Sequence, residues 1–369
     1  MRRIAVIAVL TFGLTATSAS AQMKRWGSYF GAGEALQQRS PEAVTGFDSG
    51  VTQIAAGNAS TYALKGGRVW AFGDGEAGEL GNGLDESSIM PVEVALPSGT
   101  YKAIGEAKDS GFAISSSGQG YSWGAMNANA LCTGPKNGSV EQPPTAVPGM
   151  TEAVEVRGGG EHVIWLLRDG TVKTCGTNAW GQLGLGAEAG AARTPVRVPG
   201  LTGIVEISAG NRFSAARNAS GEVFMWGENE AGEIGQGGTS QSVPTPVKVN
   251  LPEPVVQISL GGDYSDNGHV LALTRSGVVY GWGNDRAGQL ADGSKPNKTR
   301  PIALPLGIAF KSVAASGLYS LGLTSSGEVF AWGSDLNGGM GTGTSREEPV
   351  LVDSGASMIS ATATNSADY

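Results

Sequence analysis

Val223 to Gly237 reads VFMWGENEAGEIGQG. Val223, Phe224, Met225 and Trp226 are apolar on both alternating faces, the pattern of a strand covered on both sides. Gly227 ends that strand, and a polar turn leads into Gly232-Glu233-Ile234-Gly235-Gln236-Gly237. The pattern returns as VWAFGDGEAGELGNG (Val69 to Gly83), VKTCGTNAWGQLGLG (Val172 to Gly186), VVYGWGNDRAGQLADG (Val278 to Gly293) and VFAWGSDLNGGMGTG (Val329 to Gly343). A worn copy, YSWGAMNANALCTG, runs from Tyr121 to Gly134, and an isolated Trp26-Gly27 makes a seventh.

The residue before the strand-ending glycine is Trp26, Phe72, Trp123, Cys175, Trp226, Trp282 and Trp332. Successive spacings are 46, 51, 52, 51, 56 and 50 residues, a period that decides the architecture before any local pattern does. Upstream lies a second frame. Ile54-Ala55-Ala56-Gly57 precedes Tyr62-Ala63-Leu64, Ile207-Ser208-Ala209-Gly210 repeats it, and Ile258-Ser259-Leu260-Gly261 precedes Leu271-Ala272-Leu273. Val313-Ala314-Ala315-Ser316 precedes Leu321-Gly322-Leu323. Each unit is therefore several short strands with Gly, Asn and Ser turns and no helical period. Stretches carrying Pro91, Pro97, Pro143-Pro144, Pro195, Pro244, Pro246, Pro301 and Pro349 read as linkers between units.

One small antiparallel sheet cannot cover both its faces, whereas a ring of such sheets leaves no end unit bare. The expectation is an all-β fold, a seven-bladed β-propeller closed by strands from both termini; an open solenoid is the alternative. The chain starts with only a late strand, Lys24-Arg25-Trp26-Gly27, and finishes with only an early frame, Met358-Ile359-Ser360-Ala361. Together these make one stitched blade, which removes a free edge. Gly81, Gly83, Gly184, Gly186, Gly235 and Gly237 fall at fixed turn offsets. Leu80, Leu183, Ile234, Leu290 and Met340 read as apolar pegs between blades, and Glu79, Gln182, Glu233 and Gln289 as residues that bond the turn backbone.

Met1-Arg2-Arg3, the apolar run Ile4 to Ala16 and the small residues Ala19-Ser20-Ala21 form the three parts of a signal peptide. The expected division is residues 1–21 as signal peptide and 22–369 as propeller, in a periplasmic or secreted protein. The apolar run is too short for a membrane span, and no later stretch supplies one. Against 25 Lys+Arg stand 33 Asp+Glu, a net charge of −8. Loss of Arg2 and Arg3 takes it to −10 (−8 − 2), and an acidic body argues against nucleic acid as a partner. Of the two cysteines, Cys175 fills the Trp226 slot inside a strand and Cys132 a degenerate turn. Two buried thiols are the leading reading, and a disulfide between successive repeats the alternative.

At GELGNG, GQLGLG and GEIGQG the pattern resembles the repeat of the regulator of chromosome condensation family, seven-bladed propellers whose loops meet protein partners. The family repeat carries a His before its Ala-Leu strand; His162 and His269 fill that slot, while Ser60, Ser110, Phe213 and Tyr319 replace it elsewhere. Trp26-Gly27, Gly33-Glu34-Ala35, Ser49-Gly50-Val51, Ile54-Ala55-Ala56-Gly57-Asn58 and Ala63-Leu64-Lys65 look like the secreted propeller-type β-lactamase inhibitor proteins. That resemblance implies inhibition by loops capping the mouth of an enzyme.

No catalytic set emerges: two histidines occupy the repeat's own slot, and neither a G-x-S-x-G elbow nor a Walker loop is present. Cys and His are too few for a structural zinc site. Asp263, Ser265, Asn267 and Gly268 are spaced like part of a calcium loop, but Thr274 stands where the bidentate Glu belongs; a solvated loop is the favoured reading. Neither cofactor nor metal is expected, and the chain reads as a monomer that is not an enzyme. Its partner is expected to be a protein, met by loops beside the His slot at Asn58, Asp109, Glu161, Arg212, Asp263, Tyr264 and Leu318. Two alternatives stand beside it: inhibition of a β-lactamase or penicillin-binding enzyme, and action on extracellular glycans through a carboxylate pair drawn from Asp109, Glu161 and Asp263.

Overall fold

The computed structural model describes residues 3–6, 21–31, 34–57, 60–125, 130–134, 141–263, 268–335, 338–361 and 364–365. The repeat pattern becomes sheets as expected. Blade 1 consists of Val51–Ala56, Ser60–Lys65, Arg68–Gly73 and Ser88–Glu93, each paired antiparallel with the next. Blade 2 is Tyr101–Ala107, Ser110–Ser115, Gly120–Ala125 and Glu141–Ala146; blade 3 is Ala153–Gly158, His162–Leu167, Val172–Gly176 and Ala192–Arg197. Blade 4 is Ile204–Ala209, Phe213–Asn218, Val223–Asn229 and Ser240–Lys248; blade 5 is Val255–Asp263, His269–Thr274, Val279–Gly283 and Lys298–Ala303. Blade 6 is Phe310–Ala315, Tyr319–Thr324, Val329–Gly333 and Arg346–Asp353.

These meandering sheets form a β-propeller in which the first strand of one blade packs on that of the next. Second strands lie between neighbouring blades and are covered on both faces, as in His269–Thr274. That explains their runs of apolar residues without alternation. The pegs Leu80, Leu183, Ile234, Leu290 and Met340 are all fully buried. Trp123 meets Tyr62 of blade 1 edge-on at 5.6 Å, and Trp165 meets Phe112 of blade 2 in the same way at 5.8 Å. Burial of each such ring contributes a few kcal/mol, about 1.5–3 for a large apolar side chain.

Three expectations need correction. Of the proline stretches only Pro97 lies between blades; Pro91, Pro143-Pro144, Pro195, Pro244, Pro246, Pro301 and Pro349 lie within the fourth, outermost strands. Proline lacks an N–H, so it belongs on an edge strand and blocks pairing with another chain. The second correction concerns the blade count. Among the described residues six four-stranded blades are present, one of them with an added strand, rather than seven. In the remaining sector stands the hairpin Ala21–Gly31 with Glu34–Ala43, joined in parallel by Arg3–Val6. The C-terminal frame Met358–Ala361 reaches that sector without entering its ladder. The chain beyond it is diverted, so that Thr364–Asn365 pairs in parallel with Gly262–Asp263 of blade 5.

The third correction is the cysteine pair. Cys132 and Cys175 form a disulfide across blades 2 and 3, with Cα atoms 5.7 Å apart. At other junctions the Trp indole lies against the glycine after the peg: Trp123 on Gly81, Trp226 on Gly184, Trp282 on Gly235. Those glycines have positive φ, and a Cβ on Gly81 would lie 2.6 Å from Trp123. Cys132 holds the same left-handed conformation, φ 61°, in that glycine slot. The disulfide therefore replaces one Gly–Trp contact of the ring with a covalent bond.

Candidate partner-binding face

Two sets of loops share one end of the propeller. In blades 2 to 6 the loop between strands one and two accepts an N–H from the end of strand three or the residue after it. Ala125 donates to Asp109, Thr177 to Glu161, Glu228 to Arg212, and Ser334 to Leu318, at 2.9–3.0 Å. The glycine before each donor has positive φ (Gly124, Gly176, Gly227, Gly333), because a side chain there would strike that loop. A Cβ on Gly227 would lie 2.6 Å from the Arg212 carbonyl oxygen.

Beneath these loops runs a repeated polar lock. His162 Nε2 is 2.8 Å from Ser214 Oγ of blade 4, and Ser214 donates to the Gln182 carbonyl at 2.9 Å. Because Ser214 spends its proton there, Nε2 carries the imidazole hydrogen. Trp226 Nε1 donates to the same carbonyl at 2.9 Å. His269, Ser320, Gln289 and Trp332 repeat the set across blades 5 and 6. Burial pushes both histidines down to about 3, so they are neutral packing residues rather than general bases. As expected, Glu79, Gln182, Glu233 and Gln289 bond their turns, each accepting an N–H at 2.9 Å from Ala77, Trp180, Ala231 and Ala287. Burial pushes the Glu79 carboxyl up to about 7 and Glu233 up to about 8.

The expected contact residues divide. Asp109 and Glu161 come together, lining one cleft between blades 2 and 3 with Lys108, Ser110 and Gly160. Gly160 donates to the Asn211 carbonyl at 2.9 Å, which joins that cleft to the loop bearing Arg212. Arg212 lies 4.9 Å over the Trp180 ring, and its Nη1 pairs with Glu228 at 3.3 Å. Leu318 sits apart on blade 6, half-buried. Asp263 ends the first strand of blade 5. Asn58, Tyr264 and the remainder of the suggested calcium loop, residues 265–267, lie outside the described residues.

Trp180 and Glu228 were missed, although Trp180 left a trace in the sequence. It stands in the turn slot that Ala77, Ala231 and Ala287 fill in other units. An aromatic ring in a slot the scaffold fills with alanine is not required for packing. Glu228 left none, because its partner Arg212 lies 16 residues away on a different loop. The arc Asp109–Glu161–Arg212–Trp180 thus spans blades 2 to 4. It combines an aromatic face with an arginine placed over it and braced by a carboxylate that is 3% exposed. Trp and Arg are the residue types that most often anchor protein interfaces.

This is a repeat propeller, and comparison with known proteins agrees. Residues 169–217 and 220–265 match a model of the regulator of chromosome condensation (RCC1) repeat, and residues 204–233 and 310–338 match a second. The chain is 31% identical over 242 residues to human probable E3 ubiquitin-protein ligase HERC6, covering 63% of this chain and 23% of that protein. It is 28% identical over 257 residues to the Arabidopsis thaliana ultraviolet-B receptor UVR8, covering 68% of this chain and 57% of the receptor. The chain thus spans less than two-thirds of the length of either relative. Among solved structures it is similar to Saccharomyces cerevisiae Prp20p, described with its binding to Gsp1p and histones. The TM-score is 0.79 at 21% identity, covering 92% of this chain and 87% of the other. Human WBSCR16 follows with a TM-score of 0.75, 21% identity, and 86% and 84% of the two chains. At that identity the likeness is one of fold.

Proposed function

We propose that this chain is an exported propeller of RCC1 repeats that works by binding a protein partner on its loop face, without catalysing a reaction. The observation that carries the binding site is Arg212, stacked on Trp180 and braced by buried Glu228. A guanidinium already fixed in place loses little side-chain entropy on binding. Export is supported by the N-terminal leader pattern and by the Cys132–Cys175 disulfide, which suits an oxidising compartment.

Capture from envelope and culture fluid, with wild type beside Arg212→Ala and Trp180→Ala, tests the assignment. Each substitution is expected to weaken capture by about thirtyfold, matching a hot-spot loss of roughly 2 kcal/mol. The melting temperature should change little. Undiminished capture by both variants, with loss on substitution in the opposite turns, would remove the site from this face.

One observation favours inhibition of a β-lactamase or penicillin-binding enzyme as a second reading. Trp180 places an aromatic on the loop face, as capping an enzyme mouth requires. Hydrolysis of nitrocefin by a panel of such enzymes, unaffected at micromolar concentrations of this protein, would dispose of it.

A further inference from the structure

Along the axis, the first strands of blades 1 to 6 and the segment Ser360-Ala361 enclose a narrow channel of about 60 Å³. Its wall is mostly small residues, among them Ala55, Gly105, Ser208, Ser259 and Ala314. Charge enters only from blades 2, 3 and 4, through Glu106, Arg157 and Glu206. Behind them stand Glu155, paired with Arg157 at 2.9 Å, and Arg217, paired with Glu206 at 2.6 Å. Arg157 also donates to the Val156 carbonyl at 3.1 Å, and Glu206 accepts from Ile258 N–H at 3.2 Å. Both arginines are thus committed to carboxylates other than Glu106. Burial also raises the Glu206 carboxyl to about 7 against the pull of Arg217, so Glu206 titrates in this group as well as Glu106.

Glu106 is the carboxylate left over, with no ion pair to it among the described residues. Its backbone is pinned: Gly158 has no side chain because the Glu106 carbonyl and Ala107 occupy that space. The side chain lines the channel near its loop-face end, two residues before Lys108 and Asp109 of the Asp109–Glu161 cleft. Burial pushes its carboxyl up to about 8, with Arg157 drawing it the other way. The channel is far below the several hundred Å³ of ordinary cofactor and substrate pockets, yet holds about two waters' worth of volume. An ammonium head group with its adjoining methylenes is of that size.

We propose that the loop-face mouth of the axial channel receives one primary ammonium group, a lysine side chain of the docked protein, with Glu106 as its carboxylate. This rests on the loop-face reading above for the identity of the partner, while the channel chemistry stands by itself. An entering ammonium pairs with Glu106 and favours its ionised form. Most of one proton is therefore released on binding at pH 7. Affinity weakens as pH falls below about 8, up to tenfold per pH unit, because the carboxyl must then give up a proton to bind.

The test uses the whole mature chain and n-butylammonium chloride, followed by carboxyl-carbon NMR and by calorimetry in buffers of different ionisation enthalpy. Saturable binding, a shifted Glu106 carboxyl signal and proton release are expected, all lost in Glu106→Gln. Tetramethylammonium, which has no N–H to donate, should bind at least tenfold more weakly. Absence of saturation by about 50 mM amine, a range that would already detect very weak binding, overturns the proposal. So does unchanged binding to a folded Glu106→Gln chain. Capture of the protein partner separates the two readings. Loss with Glu106→Gln supports lysine insertion, whereas capture kept by Glu106→Gln and lost by Arg212→Ala overturns insertion and leaves loop-face docking standing.

Discussion

Glu233 and Gln289 occupy the same slot of two blades and make the same bond, yet one carries an ionisable carboxyl. Glu233 Oε1 is buried without a hydrogen-bond partner, as is Gln289 Nε2. Burial raises the Glu233 carboxyl from 4.5 to about 8, so the folded chain keeps a proton that the unfolded chain gives up. The stability linked to this site is fully present below pH 4.5 and is lost as pH rises towards 8. Glu233→Gln removes the titration while keeping the acceptor for Ala231. It should raise the melting temperature at pH 8 by several degrees and leave it nearly unchanged at about pH 4. A thermal melt at the two pH values checks this; an equal shift at both would mean that ionisation is not the cause. The turn-bonding role was legible from the repeat offset. The cost of the carboxyl was not, since it depends on how closely the next blade covers it.

Between elements, the junction of blades 2 and 3 shows what the sheets demand of each other. At four other junctions a tryptophan crosses from one blade to a peg turn of its neighbour. Its Nε1 donates to Glu79, Gln182, Glu233 or Gln289. Cys175 takes the tryptophan slot and Cys132 the glycine slot, and each substitution makes room for the other. Cys132→Gly with Cys175→Trp should therefore rebuild the ring's ordinary contact. The double variant is expected to melt close to wild type and to ignore reductant, whereas reductant lowers the wild-type midpoint. Cys175→Trp alone places an indole against the Cys132 side chain and should cost about 1–3 kcal/mol from overpacking, beyond the loss of the disulfide. Denaturant unfolding with and without dithiothreitol reads out all three. The slot of Cys175 was visible in the sequence. Its pairing was not, because 43 residues separate the two and only the packing of adjacent sheets brings them together.

For the whole molecule, the two ends meet. Trp26 Nε1 donates to the Gly339 carbonyl at 2.7 Å, the bond its counterparts make at the other junctions. Its ring packs on the cluster that holds Ile359 and Met340, and Met358 lies against the cluster of Met23, Phe47 and Phe72. Lys24 pairs with Asp353 at 2.8 Å across the same seam. Trp26→Ala and removal of residues 358–369 act on one sector, so their effects should fall short of additivity. Each alone is expected to lower the unfolding midpoint by a few kcal/mol. Strictly additive losses in chemical denaturation would show that the termini do not share a sector.

The amino-acid order alone determined that the chain is a ring of short sheets, where each blade turns, and which residues peg it. Those features depend on local pattern and on periods of about fifty residues. It also marked Arg212 by the variation of its loop. Only the tertiary structure decided that six sheets are complete, that the prolines guard outer edges, and that Cys132 reaches Cys175. The same holds for Arg212 lying on Trp180 and for Glu106 lining the channel. The reason is one of distance. A strand's character is set by its neighbours along the chain, but these pairings join different blades and arise only when the sheets are packed face to face.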